Sequence, residues 1–121
     1  MEKKKTLVLG ASENPARASY LAIIRLSNKK HPVVAIGNKA GMVAGIPIET
    51  EKIHATGIDT ITLYVGARNQ KEYYDYIISL HPKRIIFNPG AENDELAALA
   101  GKNHIECLEA CTLVLLSTGQ Y

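Results

Sequence analysis

The residues with the clearest chemical potential lie between Thr6 and Ser19, in the stretch T-L-V-L-G-A-S-E-N-P-A-R-A-S. A short apolar run stops at Gly10, and a polar loop then leads through Asn14 and Pro15 into a segment that favours a helix. A strand that ends in a glycine-led loop and opens a helix can hold a phosphate, because free N–H groups and the positive end of the helix dipole point at the anion. The sequence therefore predicts a small α/β domain that binds a nucleotide.

The type of nucleotide is indicated by the loop that follows the second predicted strand, where Asn38 and Lys39 stand. Enzymes that use NAD place an acid there for the ribose hydroxyls, whereas a lysine favours a phosphorylated ribose, as in NADP or coenzyme A. The first loop also departs from G-x-G-x-x-G, since Ser12 and Pro15 occupy glycine positions. Arg17, at the start of the first helix, would oppose the helix dipole unless an anion lies nearby. The alternative for Arg17 and Lys39 is solvated surface charge.

Catalytic groups and metal ligands are not evident. The four histidines fall at predicted helix ends or in loops, which is typical of surface or capping residues: His31, His54, His81 and His104. His104, Cys107 and Cys111 do not make a metal site, since a fourth ligand is missing and a strand places Cys107 at an unsuitable angle to Cys111. We therefore predict no catalytic residue and no metal site.

The elements that must position the first loop follow from the apolar pattern. Strands are predicted at residues 5–10, 33–36, 60–65, 84–87 and 105–109, with 46–48 a short edge or irregular strand because it contains Pro47. Helices are predicted at 16–29, 69–80 and 92–102, with one or two helical turns at 49–56. Residues 111–116 form a final helical turn or an extended tail.

Alternating strands and helices at this spacing indicate βαβ units with right-handed crossovers. The predicted fold is α/β, a three-layer Rossmann-like doubly wound parallel sheet of about five strands. In such a sheet ligands bind outside the carboxyl ends of the strands. The loops at those ends span residues 10–17, 37–45, 66–69 and 88–93.

Composition limits the classes of function. A chain of 121 residues is predicted to form a single domain, residues 1–121. Its net charge of only +2, with basic residues spread among acidic ones, argues against a nucleic-acid partner. The run Lys3-Lys4-Lys5 is predicted to be a solvated, frayed terminus, with a weak anion contact as the alternative. No secretory signal or apolar membrane span is evident and two cysteines form no disulfide framework, so we expect a cytoplasmic protein.

Four motifs occur in order along nearly the whole chain. They are G-A-S with P-x-R-x-S-Y, N-K-x-G followed by G-I-P-I, N-P-G-A-E-N, and E-A-C-T-L. In these motifs the chain resembles the small stand-alone CoA-binding proteins. Those proteins are similar to the N-terminal nucleotide-binding domain of the succinyl-CoA synthetase α subunit and of ADP-forming acyl-CoA synthetases.

The resemblance implies a Rossmann-like domain that holds coenzyme A across the strand ends. Gly10, Ala11 and Ser12 would meet the diphosphate, and Arg17 and Lys39 would meet phosphates. Tyr64, Val65 and Gly66 would line the adenine or pantetheine path, with residues 88–92 on the far side. The site residues expected on this basis are Gly10, Ala11, Ser12, Asn14, Pro15, Arg17, Ser19, Asn38, Lys39, Tyr64, Val65, Gly66, Asn88, Pro89 and Gly90.

Two further features follow from the resemblance. Many relatives carry an arginine where Val65 stands, so this chain departs from the family at one expected ligand position. The family ending also carries a cysteine, so Cys111 either faces the CoA thiol and forms a mixed disulfide or is a buried structural residue.

The function predicted from these features is a non-catalytic module that binds coenzyme A or an acyl-CoA, with a small molecule as its partner, no membrane partner, and a homodimer allowed. One alternative is an enzyme, either an NADP-dependent oxidoreductase or an accessory subunit of an acyl-CoA ligase whose catalytic part is another chain. A third is an interaction protein whose apolar residues 113–116 form a dimer interface. The missing acid after the second strand opposes NAD, and the missing catalytic group opposes catalysis by this chain alone.

Overall fold

One sheet organises the chain, and the computed structural model describes residues 2–121. In that range the sheet has seven strands: β1 (Thr6–Leu9), β2 (Val33–Ile36), β3 (Gly41–Val43), β4 (Ile46–Glu49), β5 (Thr60–Leu63), β6 (Arg84–Phe87) and β7 (Glu106–Glu109). Their order across the sheet is β3-β4-β2-β1-β5-β6-β7. Neighbouring strands are parallel, except that β3 and β4 are antiparallel. The predicted α/β class and Rossmann-like sheet are confirmed, but the sheet has seven strands and not about five.

Helices cover both faces of the sheet. Within the described residues they are α1 (Ala18–Asn28), α2 (Ala67–Gln70), α3 (Tyr74–Ser79), α4 (Asp94–Lys102) and α5 (Thr112–Ser117). Along β1 the side chains alternate, so that Leu7 and Leu9 pack with α3 and α4 while Val8 packs with α1 and α5. Leu116 of α5 is buried in this second core layer, so the apolar end of the chain covers a core face. None of the described helices is long and apolar enough to cross a membrane.

The position of β4 differs from the prediction, because this strand lies between β2 and β3 and not at an edge of the sheet. A proline is tolerated there since neither neighbour needs its missing N–H group. Pro47 lies opposite Met42 of β3, whose own N–H group bonds elsewhere, and the parallel pairing with β2 begins only at Ile48. The true edge strand, β3, has only three residues and no apolar run, which is why the sequence did not reveal it.

Residues 49–56 form no helix, so the predicted helical turns are wrong. Ile53 and Ala55 pack against the same core layer, which is the two-residue period of an extended chain. The carbonyl groups of this segment are satisfied from other parts of the molecule. Tyr76 Oη donates to the Ile53 oxygen at 2.6 Å, and Lys5 Nζ donates to the Thr56 oxygen at 2.8 Å.

The remaining helices differ from the prediction in detail. The segment predicted at 69–80 is helical but begins earlier, at Ala67, and tightens into a 3-10 turn at Lys71–Tyr73 between α2 and α3. The end of the chain adopts the helical alternative, as α5.

Candidate functional site

A large concave surface lies at the carboxyl ends of β1, β2 and β5. The chain passes from β1 to β2 on one side and returns to β5 on the other, so the strand order reverses on either side of β1. Such a reversal opens a crevice where Rossmann-like sheets bind ligands. Here the crevice is a cleft of about 960 Å³, at the upper end of the volumes usual for ligand sites.

The cleft brings together most of the residues expected from the sequence. Those that line it are Gly10, Ala11, Ser12, Asn14, Arg17, Ser19, Asn38, Lys39, Tyr64, Val65 and Gly66. Sequence reasoning missed Glu13, Ala18, Gly37, Ala40, Asn69, Glu72 and Tyr73, which also line it. The first four of these are neighbours of expected residues in the same two loops. The last three come from α2 and its 3-10 turn, and all three fall inside the helix predicted at 69–80, which was not expected to contribute to the site.

Pro15, Asn88, Pro89 and Gly90 do not line the cleft. Asn88 is only 2% exposed, and its side-chain amide is fully engaged inside the protein. Its Nδ2 donates to Thr62 Oγ1 at 2.7 Å and to the Leu63 oxygen at 2.8 Å, while its Oδ1 accepts from the Thr112 backbone nitrogen at 2.9 Å. Asn88 therefore connects the start of α5 to β5. This structural role explains the asparagine in the motif, and no ligand contact is needed to explain it.

The N-terminus of α1 opens into the cleft without a cap of its own. Arg17 occupies the N-cap position but accepts no bond from the helix through its side chain, and the first turn contains no acid. Within residues 2–121, no acceptor bonds the backbone N–H groups of Ser12, Glu13, Ala18 and Ser19. Free N–H groups at a helix N-terminus form a ready anion site.

The two backbone amides that precede Ser12 are, in contrast, already hydrogen-bonded within the protein. The backbone nitrogens of Gly10 and Ala11 both donate to the Ile36 oxygen at 2.9 Å, so they hold the first loop to β2. Of the three residues expected at a diphosphate, Ser12 alone has an unengaged backbone N–H group. The free amides begin at Ser12, two residues later than the resemblance implied.

Helix α4 provides the contrast. Asn93 caps it by accepting from the backbone nitrogens of Glu95 and Leu96 at 3.0 and 3.2 Å, and Asp94 and Glu95 place negative charge in its first turn. Because its N–H groups are capped and its dipole is offset by acidic side chains, this helix end does not favour an external anion. The loop before α4 is thus closed by protein groups, whereas the loop before α1 is left open.

Two cations border the open helix end. Arg17 and Lys39 are exposed at the cleft, and neither forms an ion pair, since the one ion pair among the described residues joins Lys83 to Asp59 at 3.8 Å. Glu13 also lines the cleft, but its Oε2 accepts the Met42 backbone N–H at 2.8 Å. This bond holds the Glu13 carboxylate at the edge strand β3.

Two glycines allow the first loop to lie close to the strands on either side. Gly10 has a φ of +97°, and a Cβ atom there would lie 2.9 Å from the Tyr64 carbonyl carbon. A Cβ atom on Gly37 would overlap the Ala11 carbonyl oxygen. A larger residue at either position would distort the sheet ends themselves. A substitution such as Gly10→Val would therefore disturb the fold before it reported on ligand binding.

Tyr64 contributes an aromatic wall and not a charge. Its hydroxyl is buried without a hydrogen-bond partner of good geometry, although Thr62 and Thr112, whose hydroxyls bond one another at 2.8 Å, are its polar neighbours. Burial raises the pKa of Tyr64 to about 12, so the phenol stays neutral at physiological pH. Tyr64 lines the cleft and also packs against the core layer of α1 and α5.

The third loop of the cleft, residues 64–69, is held by a buried glutamine. Gln70 is fully buried, and its Nε2 donates to the Val65 oxygen at 2.8 Å and to the Ala91 oxygen at 2.7 Å. Its Oε1 accepts from Asn93 Nδ2 at 2.9 Å. This one side chain joins the loop at Val65 to the loop before α4.

Replacing Gln70 with leucine is expected to destabilise the protein by about 2 kcal/mol, because buried partners would lose their hydrogen bonds. Urea denaturation would measure the loss, and amide hydrogen exchange at residues 65–69 should become faster. Gln120→Leu is the matched control, since Gln120 is exposed. Equal midpoints for the two variants would contradict the role given to Gln70.

The cysteines and histidines do not converge at the cleft. Cys107 and Cys111 are unpaired and half-buried, and burial, followed by the charge of Glu106, raises the pKa of Cys107. Cys111 occupies the N-cap position of α5 and does not line the cleft. Among residues 2–121, no three histidine, cysteine, aspartate or glutamate side chains meet in a way that could hold a metal ion.

Comparison with known proteins gives a consistent family match. A family model described as a CoA binding domain matches residues 4–117. A crystal structure of an uncharacterized protein is 46% identical, covers 100% of both chains and superposes with a TM-score of 0.97. No curated protein matches the chain.

Two more distant solved structures share the fold alone. A hypothetical protein from Pyrococcus horikoshii OT3 is 20% identical with a TM-score of 0.87, over 97% of this chain and 84% of that one. A protein from Thermus thermophilus is 15% identical with a TM-score of 0.86, over 98% of this chain and 91% of that one.

Proposed function

This chain belongs to the CoA-binding domain family, and from that premise we propose that it binds coenzyme A or an acyl-CoA in the cleft at the carboxyl ends of β1, β2 and β5. The observation that carries the proposal is the uncapped N-terminus of α1 beside two unpaired cations. A helix left without its own cap, next to Arg17 and Lys39, favours an anionic ligand at this point.

The diphosphate of the ligand is assigned to the free amides. Two free N–H groups, of Ser12 and Glu13, precede the turn into α1, and two more, of Ala18 and Ser19, follow it. All four residues line the cleft. Amide donors fixed by the loop bind the phosphate oxygens without a further loss of backbone freedom. Asn14 supports this arrangement, since its Oδ1 accepts the Ala16 N–H at 3.0 Å and shapes the turn into α1.

The cations are assigned to the phosphate of the ribose. Lys39 follows β2, where dinucleotide sites recognise the ribose, and no acid stands there to accept ribose hydroxyls. Arg17 lines the same cleft from the start of α1. A 3′-phosphate distinguishes coenzyme A from dephospho-CoA, so these two cations would provide selectivity between them.

The apolar part of the ligand is assigned to the third loop. Tyr64 and Val65 are half-buried on the cleft wall, and Asn69 and Tyr73 extend that wall along α2 and the 3-10 turn. These side chains offer aromatic and aliphatic surface, which suits an adenine ring or a pantetheine arm. Val65 provides apolar contact where an arginine would provide charge.

We propose a binding role without catalysis by this chain alone. The described residues that line the cleft include no histidine or cysteine. The two acidic residues among them, Glu13 and Glu72, do not pair with a nucleophile. Nucleophilic catalysis needs a nucleophile within hydrogen-bond reach of a base. The chain would thus carry or sense its ligand in the cytoplasm, as one domain.

A thermal shift series would test this function with coenzyme A, dephospho-CoA, acetyl-CoA, NADP and NAD at equal concentrations. A ligand at a hundred times its Kd stabilises the folded state by about 2.7 kcal/mol, or roughly 10 °C in Tm for a chain of this size. We expect the largest shift with coenzyme A or acetyl-CoA and a smaller one with dephospho-CoA. A shift with NADP alone would favour the oxidoreductase alternative, and no shift with any ligand would overturn the proposed function.

A further inference from the structure

A second pocket lies at the opposite end of the sheet, beside the amino ends of β1 and β2. It has a volume of about 240 Å³, enough for a small ion or metabolite. It is formed where the segment before β1, the end of α1 and the end of the chain meet. Its lining residues are Glu2, Lys4, Lys29, His31, Leu116, Gly119, Gln120 and Tyr121.

The lysine run at the start of the chain is held in place here, so the prediction of a frayed terminus is wrong. Lys3 Nζ donates to the Lys29 oxygen at 2.7 Å, and Lys4 Nζ donates to the Tyr121 oxygen at 2.6 Å. Each bond connects the segment before β1 to a different part of the pocket wall. These contacts hold the run against the protein and place the Lys4 ammonium group at the pocket.

His31 forms the floor of the pocket and is only 5% exposed. Its Nδ1 accepts the Lys4 backbone N–H at 2.9 Å, and its ring meets the Tyr121 ring edge-on at 5.1 Å between centroids. Because Nδ1 accepts, neutral His31 carries its proton on Nε2. Nε2 has no acceptor among the described residues and is not itself a buried atom, so its N–H group is open to the pocket.

The charges around His31 are mainly positive. Lys3, Lys4, Lys29 and Arg84 surround it, and burial together with these cations lowers the pKa of His31. The Tyr121 oxygen accepts from Lys4 Nζ and also from Arg84 Nη2, at 2.8 Å. Lys29 Nζ has no acceptor or ion-pair partner in the described chain, and Glu2 is the one acidic side chain that lines the pocket.

We propose that this basic pocket is a second ligand site, which binds a small oxyanion such as inorganic phosphate between Lys29 Nζ and His31 Nε2–H. A neutral N–H donor that is open to the pocket and an unpaired ammonium group supply complementary contacts to two oxygens of such an anion. An anion here would also offset the repulsion among the surrounding cations. The site is separate from the cleft, because the two lie at opposite ends of the parallel strands.

Binding at this site would be linked to protonation. An anion beside His31 favours the charged imidazolium, so bound anion should raise the pKa of His31 from its lowered value. By linkage, an anion of fixed charge such as sulfate should bind more tightly as the pH falls through that pKa, with loss of the Lys4 N–H bond to Nδ1, which the imidazolium cannot accept. The charged and titratable groups that face His31 are Lys3, Lys4, Lys29 and Arg84, with Glu2 and Tyr121 on the pocket wall.

The test is a titration of the whole protein with sodium phosphate, followed by NMR of the histidine side chains at constant ionic strength. We expect saturable shifts of the His31 ring nitrogens and none of comparable size at His54, His81 or His104. Lys29→Gln should weaken phosphate binding about tenfold, since it removes one charge-assisted contact. Lys30→Gln is the matched control, because Lys30 is exposed next in sequence and does not line the pocket.

Two results would overturn this second site. One is the absence of a saturable His31 shift, and the other is an equal loss of binding in the Lys29 and Lys30 variants, which would indicate general charge attraction only. Lys39→Glu, at the cleft, should leave the His31 titration unchanged. A loss in that variant would instead place the phosphate in the cleft, so the outcome is independent of the proposed CoA binding.

Discussion

Replacing Lys39 with glutamate is expected to weaken the binding of coenzyme A by about a hundredfold. The substitution removes an attractive charge from the cleft wall and adds a repulsive one next to phosphates. A hydrogen bond to a charged group contributes about 1.5–3 kcal/mol, and about 2.7 kcal/mol corresponds to that factor in Kd. Isothermal titration calorimetry would measure the change directly.

Lys30→Glu is the matched control for this prediction. It makes the same change in net charge at an exposed position that does not line the cleft, so it accounts for long-range attraction between protein and ligand. Dephospho-CoA separates two roles of Lys39. If Lys39 contacts the 3′-phosphate, its loss should harm coenzyme A more than dephospho-CoA, and an equal loss would place Lys39 at the diphosphate. Unchanged affinity for both ligands would remove Lys39 from the site.

The second large effect is expected at Gly37, where alanine should destabilise the protein by about 3 kcal/mol. Its Cβ atom would overlap the Ala11 carbonyl oxygen, and the backbone on both sides is fixed. The Gly37 nitrogen donates to the Glu49 oxygen at 2.9 Å, while the Ala11 nitrogen is bonded to Ile36. Neither partner can move away without losing a hydrogen bond between strands.

Gly66→Ala is the control for this substitution. Gly66 also lines the cleft, but a Cβ atom there would meet nothing within 4 Å. Urea denaturation should show a large loss for Gly37→Ala and a change within about 0.5 kcal/mol for Gly66→Ala. Similar midpoints for both variants would mean that the first loop can shift away from β2, and the close approach at Ala11 would not be a fixed feature of the site.

Most of the fold could be predicted from the sequence because the central strands are short runs of apolar and β-branched residues. The bounds of β2 and β6 are as predicted, and β1 and β5 differ by one or two residues at their ends. The predictions of secondary structure were wrong where contacts with residues distant in sequence determine the local conformation. Residues 49–56 contain helix formers, yet Ile53 and Ala55 reach the core only from an extended chain. Strand β3 exists because β4 offers it an edge.

The candidate site was predictable in part for a similar reason. Gly10, Arg17 and Lys39 follow from a strand–loop–helix pattern that is local in sequence. Asn88 was expected near the ligand because its motif resembles that of the family, but its role depends on Thr62 and Thr112, which are distant in sequence. The second pocket could not be predicted, because it joins both ends of the chain.

The bond from Glu13 to Met42 has a consequence for self-association. An edge strand with free N–H and C=O groups invites another chain to extend the sheet. On β3 the outward N–H group of Met42 is already occupied by the Glu13 carboxylate, although the Met42 side chain itself is 59% exposed. A second chain that added to this edge would first have to displace the Glu13 carboxylate from Met42. Growth of the sheet through β3 would therefore compete with the contact that fixes the Glu13 side chain beside the cleft.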